Sequence, residues 1–270
     1  MIPKIIHYCW FGENPLPKLA QRCIASWQKY CPDYEIKEWN ESNLNFNCCI
    51  FAREAYTAKK WAFLSDWARL YIIYNEGGIY LDTDVELIKS LDEMLVNKCF
   101  LAEETSGYVN TGLGFGAEKN NPIIGKLLQE YSNTHFVKKN GSYDMVPCPQ
   151  KNTKPLIELG YKFSGRCIWK TELVTIYPPE YFCPLDYEKG TLRKTNRTIS
   201  IHLYTASWHN TLEKFIIKIE SCNASHYSLE YKFRRTLSLP LRIINKIYNI
   251  GIANTLKFIK ERHEKIFLRK

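Results

Sequence analysis

The chain has 270 residues, 45% of them hydrophobic, and a formal net charge of +9. That length can bury a sizeable core, and a single α/β domain with a short appendage is the first expectation. No stretch is long enough to span a bilayer, and Met1 to Trp10 offers only a short strand-like run before Gly12 and Pro15, which argues against a membrane-spanning or secreted chain.

The ten cysteines contain no C-x-x-C pair and lie mostly in apolar or aromatic segments, so they read as reduced core residues of a cytoplasmic protein. From Lys232 onward, eleven basic residues face only Glu261 and Glu264. The excess charge therefore sits in the tail, and by itself it does not discriminate among nucleic acid, anionic lipid and water as its partner.

Taken in chain order, Pro3 to Trp10 predicts a strand. Leu16 to Tyr30 then places Leu19, Cys23, Ile24 and Trp27 at helical spacing until Pro32 stops it. Tyr34 to Trp39 predicts a second strand, and strand, helix, strand is the opening of a parallel sheet. Arg53 to Glu76 is helical in pattern, in one or two pieces. Gly77-Gly78 supplies a left-handed exit, and a strand follows over Ile79 to Asp82. Gly112, Gly114 and Gly116 punctuate a strand-like segment, Pro122 to Ser132 reads as helix, and Gly141 to Lys154 reads as loop. Ile199 to Tyr204 is a late strand with Ser200, His202 and Tyr204 on one face. A boundary is expected near Ser221 to Leu229, dividing a domain over 1–220 from a basic helical extension over 221–270. In that extension Leu237, Leu241, Ile244, Tyr248, Ile252, Leu256 and Ile259 recur at three- or four-residue steps.

The informative stretch is Gly77 to Val85, where an apolar strand runs into Asp82 and Asp84. In extended chain, residues two apart point to the same side. Two carboxylates so placed repel unless they share a proton or a cation, and oxygen ligands suit Mg²⁺ or Mn²⁺, which in turn grips a diphosphate. The pair falls just beyond the carboxyl end of a strand, where ligands bind in open α/β sheets. An exposed Asp-x-Asp turn is the plain alternative. Asp66 and Arg69 are three apart on a largely apolar helix, so they form either an intrahelical ion pair or a pair that reads sugar hydroxyls. His202 is a candidate metal ligand, Trp10 a candidate base-stacking residue or core residue, and Asn110 a candidate substrate contact or turn cap.

Five blocks in order resemble glycosyltransferase family thirty-two. They are Ile2 to Gly12, Ser65 to Leu70, Gly77 to Asp84, Val109 to Gly112, and Ile201 to Trp208. Within that family the chain looks like bacterial enzymes of capsular or other surface polysaccharide synthesis. The resemblance covers roughly residues 1 to 210 and implies a GT-A fold. It also implies retaining transfer of a sugar from a nucleotide-diphospho-sugar, a UDP-sugar ahead of a GDP-sugar, to a glycan or lipid-linked glycan. By the match of blocks, Asp82 and Asp84 would hold metal and ribose, with Tyr80 beside them in the nucleotide-sugar site. Trp10 would stack the base, and Asp66 and Arg69 would bind the donor sugar. His202, Ser207 and Trp208 would close on the diphosphate and metal, and Asn110 would lie near the reacting face. Where relatives often carry a second histidine in the last block, this chain has Leu203.

Two rival readings come from other classes. A metal-dependent phosphohydrolase also gathers cations on paired aspartates, but it usually draws on a second Asp, Glu or His cluster, and the sequence offers none with that spacing. A nucleic-acid-binding protein would interleave its basic residues with aromatics, whereas here they are in the tail. The tail's apolar stripe either packs against the catalytic domain or lies at the inner face of the cytoplasmic membrane, an anionic surface where, by the resemblance, lipid-linked acceptors are assembled.

Overall fold

The computed structural model describes residues 1–163, 165, 167–186, 191–204 and 236–250, with the side chains of 245–250 excepted. The chain divides into two compact units, residues 1–136 with 144–205, and residues 137–143 with 206–270.

The first unit is built on a seven-stranded sheet. Its strands are β1 (Ile5–Cys9), β2 (Glu35–Trp39), β3 (Gly78–Tyr80), β5 (Cys99–Ala102), β6 (Phe115–Ala117), β7 (Trp169–Lys170) and β8 (Thr175–Tyr177), in the order β2-β1-β3-β6-β5-β8-β7. Five strands run one way and β6 and β7 run against them, so the sheet is mostly parallel, as expected. Two small ribbons lie outside it, β4 (Val85–Leu87) paired with β11 (Ser200–His202) and β9 (Leu185–Asp186) paired with β10 (Thr191–Leu192).

The central strands read as apolar runs because they are covered on both faces. Ile6, Ile79, Leu81, Phe100, Leu113 and Phe182 are buried in one cluster with Trp27. Trp27 comes from helix α1 (Lys18–Tyr30), and its indole N–H donates to the Val85 carbonyl at 2.7 Å, fixing that helix to β4.

The region Arg53 to Glu76 resolves into α2 (Ile50–Thr57) and α3 (Trp61–Glu76). Helix α3 buries Leu64, Trp67, Leu70 and Ile73 and also Asp66 and Arg69, so it is covered nearly all round. Gly78 leaves it at φ 95°, and a side chain there would also drive into the His7 ring, where a Cβ would lie 2.7 Å from Nε2. Helix α4 (Pro122–Ser132) starts on Asn121, whose side chain accepts the Ile123 N–H at 2.9 Å, with Pro122 at the first helical position.

The segment Gly141 to Lys154 is not all loop. Helix α5 (Cys148–Glu158) occupies its second half. Pro149 sits in its first turn and Pro155 inside it, and Lys151, Asn152 and Thr153 are buried although polar, so the apolar period that marks a core-facing helix is missing. Lys151 pairs with Asp144, and Thr153 and the Asn152 amide nitrogen bond to the loop before β6. The Val109 N–H donates to Thr153 Oγ1 at 2.8 Å, and Asn152 Nδ2 donates to Thr111 Oγ1 at 3.0 Å. Helix α6 (Pro179–Phe182) then brings Phe182 under β5.

In the second unit the described residues form a turn closed by the Val137–Tyr143 bridge and a helix, α7 (Leu239–Ile250). No helix among the described residues is long and apolar enough to cross a membrane.

Candidate active site

Strand β3 ends at Tyr80, so Asp82 and Asp84 are not in extended chain. They belong to a turn in which the Val85 N–H donates to the Asp82 carbonyl at 2.9 Å. The turn sends the two carboxylates toward different partners while keeping them close.

Asp82 faces α3. Its Oδ1 accepts from Tyr80 Oη at 3.0 Å and lies 3.2 Å from Arg69 Nη2, which is also 3.1 Å from Asp66 Oδ1. Arg69 therefore spans two carboxylates. Its guanidinium also lies 5.1 Å from the centre of the Tyr80 ring. The pairing of Asp66 and Arg69 read from their spacing is present, and it opens onto Asp82 instead of closing on the helix. Asp84 faces β11, where its Oδ1 lies 3.2 Å from His202 Nε2. His202 Nδ1 is buried with no hydrogen-bond partner among the described residues.

One ligand atom from each of Asp82, Asp84 and His202 falls within 4.8 Å of the others. Two carboxylates and an imidazole fit a small divalent cation. The oxygens suit Mg²⁺ or Mn²⁺, and the nitrogen favours Mn²⁺ over Mg²⁺, whose sites are built from oxygen. The electrostatics agree. Burial pushes Asp66 up to about 6 against the pull of Arg69, and burial likewise raises Asp82. Burial works against the His202 imidazolium, but the Asp84 charge and hydrogen bond, with Asp82 behind them, lift it above its ordinary 6.5. Asp66 and Asp82 share one guanidinium while Asp84 faces an imidazole, so three carboxylates have a single permanent positive charge among them and draw a cation.

Asn110 stands on the loop that leads into β6. Its Oδ1 accepts the Gly112 N–H at 2.7 Å, and its Nδ2 donates to Glu104 Oε2 at 3.1 Å. Gly112 lies among Asp82, Asn110 and Arg69, so closely that an added Cβ would collide with the Asp82 carboxylate. Behind this group lies Cys148, whose Sγ is 3.6 Å from Asn110 Oδ1 and 3.9 Å from Arg69 Nη1. Burial raises that thiol well above its usual range, so it is a neutral filler with polar contacts. Lys151, on the same helix as Cys148, forms a buried pair at 2.7 Å with Asp144, which precedes the helix.

Trp10 lies one residue past the end of β1, on the same sheet edge. It is half-buried, and its Nε1 donates to the Asn14 carbonyl at 2.5 Å. Ser207 and Trp208 lie outside the described residues. Cys148, Glu104 and Lys151 are not marked by the sequence as parts of the site, and Gly112 is marked only as a break in a strand-like run and as the end of the Val109 to Gly112 block. Of the cysteines, seven described ones are buried and two, Cys48 and Cys167, are exposed; all nine are free thiols.

Residues 17–101 match a protein-family model described as "Glycosyltransferase sugar-binding region containing DXD motif", a span that takes in Asp66, Arg69, Asp82 and Asp84. Two inositol phosphoceramide mannosyltransferases of Schizosaccharomyces pombe are similar, one 26% identical over 81% of this chain and 66% of its own length, the other 29% identical over 50% and 40%. A human alpha-1,4-N-acetylglucosaminyltransferase is 35% identical over 28% of this chain and 22% of its own. The chain thus spans about two-thirds or less of each of these curated relatives. Among solved structures, the PaToxG glycosyltransferase aligns with a TM-score of 0.46 and 21% identity over 58% of this chain and 70% of that one. The galactosyltransferase LgtC aligns with a TM-score of 0.42 and 16% identity over 77% and 90%. Both scores are low, and the assignment of the site rests on its own geometry.

Proposed function

We propose that the chain is a metal-dependent glycosyltransferase of the GT-A type that moves a sugar, with retention, from a nucleotide-diphospho-sugar to a glycan or lipid-linked glycan. The observation that carries this reading is the convergence of Asp82, Asp84 and His202 within 4.8 Å at the carboxyl edge of the sheet, next to the buried Asp66–Arg69 pair. The match over residues 17–101 supports the glycosyl-transfer class.

In this reading Asp82, Asp84 and His202 hold Mn²⁺ or Mg²⁺, which when bound neutralises charge on the departing nucleoside diphosphate. Arg69 and Asp66 offer a fixed donor and acceptor to the hydroxyls of the donor sugar, pre-oriented because burial leaves them one conformation. Trp10 offers an aromatic face for the base, and Ser207 and Trp208 belong to the segment that would close over the phosphates. Tyr80 holds Asp82 in register. Asn110 presents its carboxamide beside Asp82 where the anomeric carbon would lie. A role in bacterial surface polysaccharide synthesis, at the inner face of the cytoplasmic membrane, is the setting we infer from the blocks of the sequence.

The test is to incubate purified protein with Mn²⁺ and a panel of UDP- and GDP-sugars and measure slow donor hydrolysis. One donor should be turned over, and turnover should vanish in excess EDTA and in Asp84→Asn, while the thermal transition is retained. Turnover that persists unchanged in excess chelator would remove the metal from this reading.

A further inference from the structure

Glu104 has no part in the assignment above, yet it is hydrogen-bonded to Asn110, one of the residues so assigned. It lies two residues past the end of β5, as Asp82 lies two past the end of β3. In the ladder Phe100 and Ile79 both pair with Gly116, so the carboxyl ends of β5 and β3 lie on the same sheet edge, two strands apart. Two strand spacings are about 10 Å, roughly the reach of a diphosphate and a sugar ring lying across the edge.

The contacts of Glu104 face the reacting region. Asn110 Nδ2 donates to Oε2 at 3.1 Å and Ser106 Oγ to Oε1 at 2.6 Å. The Tyr204 hydroxyl and Cys183 thiol, joined at 2.9 Å, both feel its charge, and the Tyr204 ring packs edge-on against His202 at 4.1 Å. Glu104 is half-buried, so it keeps access to solvent. A carboxylate has about four lone-pair sites and a carboxamide nitrogen two N–H groups. Among the described residues two of those four sites and one of those two N–H groups are engaged, which leaves acceptors and a donor side by side.

We propose that Glu104 and Asn110 form the subsite that takes the hydroxyls of the acceptor sugar, beside the candidate metal-binding turn. The inference rests on the transferase reading. An adjacent acceptor and donor match two neighbouring ring hydroxyls, and the charge on Glu104 strengthens the bond to the hydroxyl that will attack.

The test uses the full chain with Mn²⁺ and the donor found by hydrolysis. Methyl glycosides of gluco, galacto and manno configuration serve as acceptor probes, and Glu104→Gln serves as the variant. At least one glycoside should accelerate donor turnover by the wild type, and in Glu104→Gln its KM should rise about tenfold or more. Calorimetry should give the variant a donor Kd within about twofold of wild type, which also shows that it is folded. An unchanged acceptor KM, or an equal loss of donor affinity, would overturn the inference. A donor that is hydrolysed but whose turnover no glycoside accelerates would overturn the sugar subsite and leave the transferase reading standing. A chain that neither binds nor hydrolyses any nucleotide-sugar with Mn²⁺ would remove both.

Discussion

Arg69 meets Asp82 at 3.2 Å with both side chains largely shielded from water, and this pair ties the middle of α3 to the turn that carries the candidate metal ligands. Burial opposes the charge on Arg69, but Asp82, Tyr80 and Asp66 together hold it firmly protonated. The same guanidinium that would meet the donor sugar therefore also fixes one wall of the candidate metal site.

Arg69→Lys should consequently fail as a conservative change. A lysine has one compact ammonium and cannot span Asp66 and Asp82 as a planar fork does. Loss of a charge-assisted bond at a buried site costs about 2 kcal/mol, so kcat/KM for donor hydrolysis should fall roughly thirtyfold. Retention of wild-type kcat/KM by the lysine variant would mean that the fork is not needed.

Gly112→Ala tests the other wall. The backbone at Gly112 is not in the left-handed region, so alanine is conformationally allowed and the damage should be local: its Cβ would displace the Asp82 carboxylate and crowd Asn110 Oδ1. We expect Mn²⁺ affinity, measured by calorimetry, to weaken about tenfold or more while the melting temperature moves only a few degrees. An alanine variant with unchanged Mn²⁺ affinity would show that the turn can shift without cost.

Much of this arrangement was legible in the sequence, and the missing parts have physical causes. The strands around His7 and Ile79 and the helices holding Trp27 and Leu64 announced themselves because each buries apolar residues at its own period. Asp82 and Asp84 stood out for their spacing, but the reason they converge was misread. A turn brings them together, and His202 meets them through the β4–β11 ribbon, a pairing of residues more than a hundred positions apart. Helix α5 stayed hidden because half of its buried residues, Lys151, Asn152 and Thr153, are polar, which breaks the apolar period that Cys148 and Leu156 alone cannot supply. Glu104 was invisible for a related reason, since its importance lies in contacts with Asn110 and the neighbourhood of Tyr204.

His7 gives a pH dependence with a definite sign. The Trp39 indole N–H donates to its Nδ1 at 3.0 Å, so the neutral ring carries its proton on Nε2 and donates it to the Gly77 carbonyl at 3.0 Å. Burial is the main cause that pulls its pKa from 6.5 to about 4. The unfolded chain takes up a proton first, so this stability is present above 6.5 and is lost as the pH falls through about 4. At about 1.4 kcal/mol per pH unit the loss amounts to about 3 kcal/mol. His7→Gln should be less stable than wild type at pH 7.5 in urea unfolding and should lose less stability on going to pH 4. Equal losses in the two proteins would take His7 out of the acid response.

The tail carries the last prediction. Helix α7 leaves Leu237, just before it, and Leu239, Ile243 and Ile244 exposed, in a segment whose basic excess runs to Lys270. An apolar strip beside arginine and lysine is the composition of a helix that lies in a membrane interface, with apolar side chains among the acyl chains and cations at anionic headgroups. Each basic residue near such a surface contributes about 1 kcal/mol, and that part is screened by salt. In vesicle co-sedimentation the full chain should bind liposomes containing anionic lipid, bind neutral ones poorly, and be released as salt rises. Truncation after Ser228 should abolish binding while donor hydrolysis by the remaining domain persists, because the candidate residues Asp66, Arg69, Asp82, Asp84 and His202 all precede the cut. If the truncated protein binds as well as the full chain, the tail has no part in membrane attachment; if neither form binds, the strip is covered by protein instead of lipid.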